Sequence, residues 1–131
     1  WLMLQQEVPE DFVISTGKMI TVREFIELCA LKLKWNNKGP NGIIWEGKDL
    51  DEVGRRADTG EIVIRVDPRY FRPTEVDELL GDSSKARKKL NWEPKISIED
   101  LISEMIDEDS KESQKESLLK NKGFSIFSAK E

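Results

Sequence analysis

One stretch of the sequence, residues 67–75, concentrates side chains that could bind a ligand. Its sequence DPRYFRPTE places two arginines, two aromatic residues and two prolines within nine positions. An arginine in this setting can bind phosphate oxygens through two parallel hydrogen bonds, because its guanidinium group is planar. The prolines restrict the backbone, which lowers the entropy lost when a binding segment becomes ordered. This stretch is therefore the strongest candidate for a binding site in the chain.

Arg72 and Glu75 are the candidate binding residues of this stretch. Arg72 could bind phosphate, and Glu75, at the start of a short helix predicted over residues 75–80, could accept hydrogen bonds from sugar hydroxyls. The same residue types also allow a structural interpretation. In that interpretation the two residues form a local salt bridge, while Tyr70 and Phe71 lie in the core. Spacing alone leaves both interpretations open.

Regular elements on both sides of the stretch must hold it in place. Upstream, residues 61–66 alternate polar and apolar side chains, which predicts a half-buried strand. Downstream, Gly81 ends the short predicted helix, and Asp82 or Ser83 begins another helix that runs through Leu90. The candidate site thus connects a strand to helices.

The first half of the chain is organised around a helix that begins after Thr21. Thr21 and Glu24 have the spacing of a capping box, and an apolar stripe that includes Cys29 continues to Leu33. We interpret Cys29 as a small buried apolar residue, because no histidine in the chain could activate it as a nucleophile. A short apolar run over residues 12–15 predicts a buried strand.

Three further elements follow from local patterns. Residues 43–45 predict a short strand, and Ser97 with Asp100 begins an amphipathic helix. Beyond Ile106 the chain is dense in charge, so we expect a peripheral charged helix or tail over about residues 110–131. Trp1 stands where a methionine would begin a gene product, inside what resembles an apolar helix, and we expect a piece of something longer.

The composition excludes several classes of site and partner. The chain has 131 residues, no histidine and one cysteine, which excludes imidazole metal ligands, histidine acid–base catalysis and an internal disulfide. Its net charge of −5 disfavours nucleic acid or an anionic membrane as the main partner. No apolar run approaches the roughly 18 residues of a membrane span. The sequence also contains no GxGxxG, P-loop or GxSxG motif.

Several stretches of the chain carry a specific family resemblance. Through them the chain closely resembles the C-terminal part of the GDP-mannose 4,6-dehydratase family, which belongs to the extended short-chain dehydrogenases/reductases. Residues 36–60 are more variable and carry no part of the resemblance. The stretches are WLMLQQEVPED (residues 1–11), FVISTG (12–17), TVREF (21–25), VDPRYFRPTEVDELLGD (66–82), SKARKKLNWEP (84–94), LISEMIDED (101–109) and SLLKNKGF (117–124).

This resemblance implies a mixed α/β fragment, with several helices and a few short strands over residues 1–131, that forms a C-terminal nucleotide-sugar-binding domain. The family converts GDP-mannose to GDP-4-keto-6-deoxymannose on the way to GDP-fucose and related deoxysugars. It uses NADP, which an N-terminal Rossmann domain outside this sequence would bind. The family's Tyr-x-x-x-Lys pair does not occur here, because the only tyrosine, Tyr70, is followed four residues later by Thr74. We therefore expect no catalytic, cofactor-binding or metal-binding residue in this chain, and no activity from it alone.

The resemblance also assigns roles within the RP-x-E motif. Arg72 would contact the diphosphate of GDP-mannose, and Glu75 would contact ribose hydroxyls. Arg69 and Tyr70 are weaker candidates with a structural or peripheral role, and Arg23 is interpreted as solvated or as a partner contact. The expected full-length enzyme is a cytoplasmic homodimer or homotetramer that binds neither nucleic acid nor a membrane.

Two alternatives stay open at the level of the sequence. The chain could belong to a GDP-sugar epimerase or reductase of the same broad family, which would differ chiefly in the part outside these residues. It could also be a stand-alone interaction module without catalytic equipment. If residues 12–15 belong to a Rossmann sheet, we further expect a bare apolar surface near the N-terminus.

Overall fold

The computed structural model describes residues 1–36, 41–72 and 79–125, in which three α-helices accompany one small antiparallel sheet. This confirms the predicted mixed α/β class. Two short 3-10 turns cover Leu2–Gln5 and Asp49–Asp51. The helices are α1 (Val22–Lys32), α2 (Ser84–Leu90) and α3 (Ile98–Asn121), and the strands are β1 (Ile43–Glu46), β2 (Val53–Arg56) and β3 (Ile62–Arg65).

Helix α1 begins where the capping box predicts it. The Thr21 hydroxyl accepts a hydrogen bond from the Glu24 amide at 3.0 Å, and the Glu24 carboxylate accepts one from the Thr21 amide at 2.7 Å. These two bonds satisfy amides that have no partner within the first turn of a helix. The helix ends at Lys32, and Lys34 follows with a φ of 62°, a left-handed conformation typical of helix termination.

The sheet has the strand order β1-β2-β3, and both strand pairs are antiparallel. In the β2–β3 pair Gly54 lies opposite Ile64, and the register of the pairing shifts between Gly54 and Arg55. Along β3, Ile62 and Ile64 are half-buried, whereas Val63 is exposed. The predicted alternation of this strand is therefore confirmed.

Helix α3 is a single element of 24 residues. It begins as predicted, since the Ser97 hydroxyl accepts a hydrogen bond from the Asp100 amide at 3.1 Å. It then continues through the charge-dense part of the sequence to Asn121. Residues 126–131 lie outside the described residues, so a peripheral helix or tail over residues 110–131 stays a prediction.

The core is small and is built mostly from small or medium side chains. Helix α1 packs against α3, and the most buried apolar side chains of these two helices are Ala30 and Ile102. A small side chain such as alanine allows close approach of the backbones around it. The buried apolar residues are Ala30, Ile43, Ala57, Ala86, Leu90 and Ile102.

The N-terminal segment, residues 1–20, differs most from the sequence-based expectation. The predicted buried strand over residues 12–15 is wrong, because these residues form no strand and Val13 and Ile14 are about half exposed. A strand needs a neighbouring strand for its backbone hydrogen bonds, and the sheet of the described residues consists of β1, β2 and β3 alone. The apolar run indicates a local preference for extended backbone, but it does not show whether a neighbouring strand is present to pair with it.

Helix α2 follows the candidate binding stretch and begins close to the predicted position. The Asp82 carboxylate accepts a hydrogen bond from the Ser84 amide at 2.9 Å, and the helix ends at Leu90. The helix predicted over residues 75–80 is wrong at its end, since Leu79 and Leu80 are not helical. Its earlier residues lie outside the described part of the chain.

Candidate functional site

The candidate binding stretch leaves β3 in a tight turn. The Tyr70 amide donates to the Asp67 carbonyl at 3.1 Å, and Pro68 occupies the second position of the turn, where its fixed φ is favourable. The Asp67 carboxylate also accepts hydrogen bonds from the Arg69 amide at 2.9 Å and from the Arg69 guanidinium at 2.7 Å. Asp67 therefore organises the start of the stretch through both its backbone and its side chain.

Arg69 is committed to this turn. Its side-chain hydrogen bonds, followed by the bond from its amide, lower the pKa of Asp67, and the same side-chain contact raises the pKa of Arg69. The Arg69 guanidinium also lies 5.3 Å from the centre of the Tyr70 ring, within the range of a cation–π contact. These contacts support the structural role that the sequence suggested for Arg69.

Arg72 lies two residues beyond this turn and is exposed. Tyr70 is 74% exposed and Phe71 is half-buried, so the interpretation that placed Tyr70 in the core is wrong. Glu75 falls within residues 73–78, which lie outside the described residues. Its role in ligand binding and its alternative salt bridge with Arg72 both stay predictions.

Gly81, downstream of the candidate binding stretch, contacts the N-terminal segment. The Ser15 hydroxyl donates to the Gly81 carbonyl at 2.6 Å. Just beyond it, Ser83 is buried before the start of α2. Ser15 and Gly81 are 66 positions apart in the sequence, and no local sequence pattern predicts this contact.

Helix α2 holds the same N-terminal segment through its basic side chains. The Glu10 carboxylate forms ion pairs with Lys85, at 2.8 Å, and with Lys89. These two lysines lower the pKa of Glu10 to about 2, chiefly through their hydrogen bonds to it. The Lys85 ammonium additionally donates to the Asp11 carbonyl at 2.8 Å. The residues just before the run predicted as a strand are thus bound to α2 through lysine side chains.

Arg23 is exposed on α1 and also makes contacts within the chain. Its guanidinium bonds to Glu52 and lies 4.3 Å from the centre of the Trp45 ring. Trp45 in turn donates from Nε1 to the Glu27 carboxylate at 2.9 Å. The prediction that Arg23 is solvated agrees with its exposure, and a partner contact stays a prediction. The residue also joins α1 to β1 through its contact with Trp45. Sequence reasoning missed the bond to Glu52 because Arg23 and Glu52 are 29 positions apart.

Cys29 and the described acidic side chains are not grouped as metal ligands. Cys29 is half-buried, and burial raises the pKa of its thiol by disfavouring the thiolate, as expected for a residue on an apolar stripe. Within the described ranges, no group of three cysteine or acidic side chains is arranged to hold a metal ion. In the same ranges, no helix is long and apolar enough to cross a membrane.

A family model described as GDP-mannose 4,6 dehydratase matches residues 1–105 of the chain. The match includes the candidate binding stretch, α2 and the first part of α3. The chain belongs to the GDP-mannose 4,6-dehydratase family. The resemblance inferred from the sequence motifs is thereby confirmed.

Individual dehydratases of this family match the chain at high identity. The GDP-mannose 4,6-dehydratase of Yersinia enterocolitica is 47% identical over 130 residues, which cover 96% of this chain and 35% of that protein. The Cricetulus griseus and Homo sapiens enzymes are 50% and 49% identical over 109 residues, covering 83% of this chain and 28% of each relative. The chain therefore spans about a third of the length of the curated relatives it matches.

Proposed function

We propose that this chain is the substrate-binding portion of a GDP-mannose 4,6-dehydratase, with Arg72 on the diphosphate of GDP-mannose and Glu75 on its ribose hydroxyls. The observation that carries the proposal is the geometry of the candidate binding stretch in a chain of this family. Arg69 bonds to Asp67 in the turn, and Arg72, which is exposed two residues beyond it, is the arginine of the RP-x-E motif. A guanidinium can donate two parallel hydrogen bonds to a phosphate group.

The acidic character of the chain is compatible with this ligand. The net charge is −5, but a diphosphate needs only a local arginine rather than a basic surface. The turn at Asp67 also reduces the backbone freedom next to Arg72, so less entropy is lost when the ligand binds.

The whole protein would convert GDP-mannose to GDP-4-keto-6-deoxymannose with NADP as its redox cofactor. The described residues do not fit this cofactor. Their strands form an antiparallel sheet rather than a strand–glycine loop–helix unit, and Thr74 stands where a lysine would have to follow Tyr70. We therefore assign NADP binding and the chemical steps to a part of the protein outside these residues, and no turnover to this chain alone. A cytoplasmic location and a homodimer or homotetramer complete the proposal.

Titration calorimetry with GDP-mannose, at concentrations up to millimolar, tests the assignment of Arg72. Arg72→Ala removes a charge-assisted contact, and we expect a loss of about 1.5–3 kcal/mol, or roughly 10- to 150-fold in affinity. Arg65→Ala is the matched control, because Arg65 is an exposed arginine on β3 outside the stretch, and it should bind like the unmodified chain. Equal binding by Arg72→Ala would show the assignment to be wrong.

The proposed contact between Glu75 and the ribose is tested with nucleotides that differ in their ribose hydroxyls. The unmodified chain should prefer GDP over 2′-deoxy-GDP, because a carboxylate accepts strong hydrogen bonds from ribose hydroxyls. Glu75→Gln should lower the affinity for GDP and so reduce the ratio of the two affinities. Its affinity for 2′-deoxy-GDP should stay nearly unchanged. A preference that is the same in both proteins would contradict the contact.

The relatives reported above are all named as dehydratases, which favours this activity over a GDP-sugar epimerase or reductase. Mass spectrometry of the product formed by the natural-length protein distinguishes them. Loss of one water molecule from GDP-mannose supports the dehydratase, whereas an unchanged mass would indicate an epimerase.

A further inference from the structure

Helix α3 carries a row of exposed side chains whose types are symmetric about the middle of the helix. Leucines stand at both ends of the row, with two glutamates and then two lysines between them. Successive members are three or four residues apart, a spacing that places them on one face of a helix. This symmetric strip consists of Leu101, Glu104, Glu108, Lys111, Lys115 and Leu118, all of which are exposed.

The opposite side of α3 is covered by α1. The two helices pack together, and the Ser103 hydroxyl of α3 accepts a hydrogen bond from the Lys32 ammonium of α1 at 2.7 Å. Ile102 is buried, and Ile106, one turn beyond it, is half-buried. At 3.6 residues per turn, these two isoleucines lie on the side of α3 opposite the symmetric strip. The strip therefore faces away from α1.

The second half of α3 is a continuous helix although most of its side chains are exposed. Glu108 pairs with Lys111 at 2.5 Å and Glu112 pairs with Lys115 at 3.0 Å. Pairs of opposite charge at this spacing stabilise an exposed helix. The helix ends only at Asn121, so all six positions of the symmetric strip are helical.

Two copies of the symmetric strip are complementary when they run antiparallel. In one register every position meets its complement: Leu101 faces Leu118, Glu104 faces Lys115 and Glu108 faces Lys111 of the second copy. A two-fold axis repeats each of these pairs, as in most homodimers. A parallel arrangement would instead place glutamate against glutamate and lysine against lysine. Like charges in contact are unfavourable, so the charges select the antiparallel arrangement.

The overall charge distribution of α3 favours the same orientation. Every charged residue in positions 99–109 is acidic, whereas positions 111–122 contain four lysines and two glutamates. An antiparallel second copy places the acidic half of each helix beside the lysine-rich half of the other. Complementary charges of this kind determine the orientation and register of a contact more than its strength.

We propose that the symmetric strip of α3 is an interface for a second copy of this chain, packed antiparallel about a two-fold axis. The leucines at the two ends supply the apolar contacts, and the ion pairs between them set the register. The dimer is weak, because exposed ion pairs each contribute little. Lys111, Lys115 and Leu118 lie beyond residue 105, where the family model ends. This inference does not rest on GDP-mannose binding, so its failure would leave the proposed substrate contacts unchanged.

Analytical ultracentrifugation of the 131-residue chain, from micromolar to millimolar concentration, tests the interface. The unmodified chain should form a dimer with a dissociation constant in the upper micromolar range, and added salt should favour the monomer. Glu104→Lys combined with Glu108→Lys should weaken the dimer by about tenfold or more, because lysines then face lysines. Adding Lys111→Glu and Lys115→Glu reverses the whole strip and should restore the dimer.

Glu7→Lys combined with Glu93→Lys is the matched control, since both glutamates are exposed and lie outside α3. It should dimerise like the unmodified chain. Both double variants bring the net charge of −5 nearer to zero, so a non-specific effect of charge would promote association in both. Leu118→Ala tests the apolar end of the strip without a change of charge and should weaken the dimer by a few fold. Circular dichroism should show the same helix content in every variant.

Three results would overturn the proposal. A chain that stays monomeric up to millimolar concentration would show that this face is solvated or binds a partner of another kind. Equal dimerisation by the Glu104 and Glu108 double variant would show that these charges do not form the interface. A fully reversed strip that dimerises no better than the double variant would exclude the antiparallel pairing.

Discussion

Two regions of this molecule are held together by different kinds of contact. The helix–sheet body, made of α1, β1–β3 and α3, consists of regular elements that pack against one another. The tethered region, made of residues 10–16 and 79–90, contains one short helix and otherwise irregular backbone. Its segments are joined by side chains that bond to distant carbonyl groups or to opposite charges.

This difference predicts how strongly substitutions in each region change the free energy of unfolding. In the body, backbone groups satisfy each other within helices and strands, so a substitution mainly costs buried contacts. In the tethered region, exposed side chains of one segment bond to carbonyl groups or opposite charges of the other. Substitution of these exposed side chains should change the free energy of unfolding only slightly.

The largest effect on stability is expected at Ile102, which is 2% exposed on α3. Ile102→Ala should lower the free energy of unfolding by about 2–5 kcal/mol, because it removes buried methyl groups and leaves a cavity. Urea denaturation measures this loss. Leu118→Ala, at a side chain 62% exposed on the same helix, should change it by less than about 0.5 kcal/mol. Equal effects at both positions would contradict a core that depends on Ile102.

A smaller loss is expected from overpacking the sheet at Gly54. A Cβ there would lie 2.9 Å from Ile64 Cδ1 and 3.1 Å from Trp45 Cζ3, so Gly54→Ala should cost about 1–3 kcal/mol of unfolding free energy. Ile64→Val removes the nearest methyl group, and the double variant should therefore lose less than the sum of the two single variants. Strict additivity in urea denaturation would show that this contact is not the cause.

The N-terminal cap of α1 should contribute less to the free energy of unfolding than Ile102 or Gly54. Thr21→Ala removes the hydroxyl that accepts the Glu24 amide, and we expect a loss of about 1 kcal/mol in thermal or urea unfolding. Thr21→Ser retains the hydroxyl and is the control. If serine and alanine destabilise the chain equally, the hydrogen bond is not responsible for the effect.

The smallest effect is expected at Glu10 and should depend on pH. The pKa of Glu10 is lowered from 4.5 to about 2 by Lys85 and Lys89. Since the unfolded carboxyl binds its proton more tightly, the stabilisation is fully present above about pH 4.5 and is lost as the pH falls toward about 2. Glu10→Gln should show a smaller decrease of the urea midpoint over this range than the unmodified chain. Glu7→Gln, at a neighbouring exposed glutamate, should retain the full decrease.

Elements defined by nearby residues could be predicted from the sequence. The starts of α1 and α3 followed from side chains three residues apart, and β3 followed from its alternation of polar and apolar residues. The motif containing Arg72 and Glu75 also indicated the family, because several specific stretches coincide along the chain. In each case the residues that produce the pattern lie close together in sequence.

Predictions failed where the outcome depended on a distant partner. The apolar run over residues 12–15 resembles a strand, but no strand among the described residues pairs with it. Arg23 is exposed as predicted, but its contacts with Glu52 and Trp45 were not foreseen. The residue types of a short segment favour a particular local structure. Whether that structure forms depends on the neighbouring residues in the folded chain.

The sequence by itself determined the family, the local starts of the main helices and the stretch that contains the candidate ligand contacts. Only the tertiary structure decided that Ser15 meets Gly81 and that Glu10 joins Lys85 and Lys89 on α2. The physical reason is range. Caps and alternating strands arise from residues a few positions apart, whereas these tethers join residues 66 or more positions apart and form only when the folded chain brings them together.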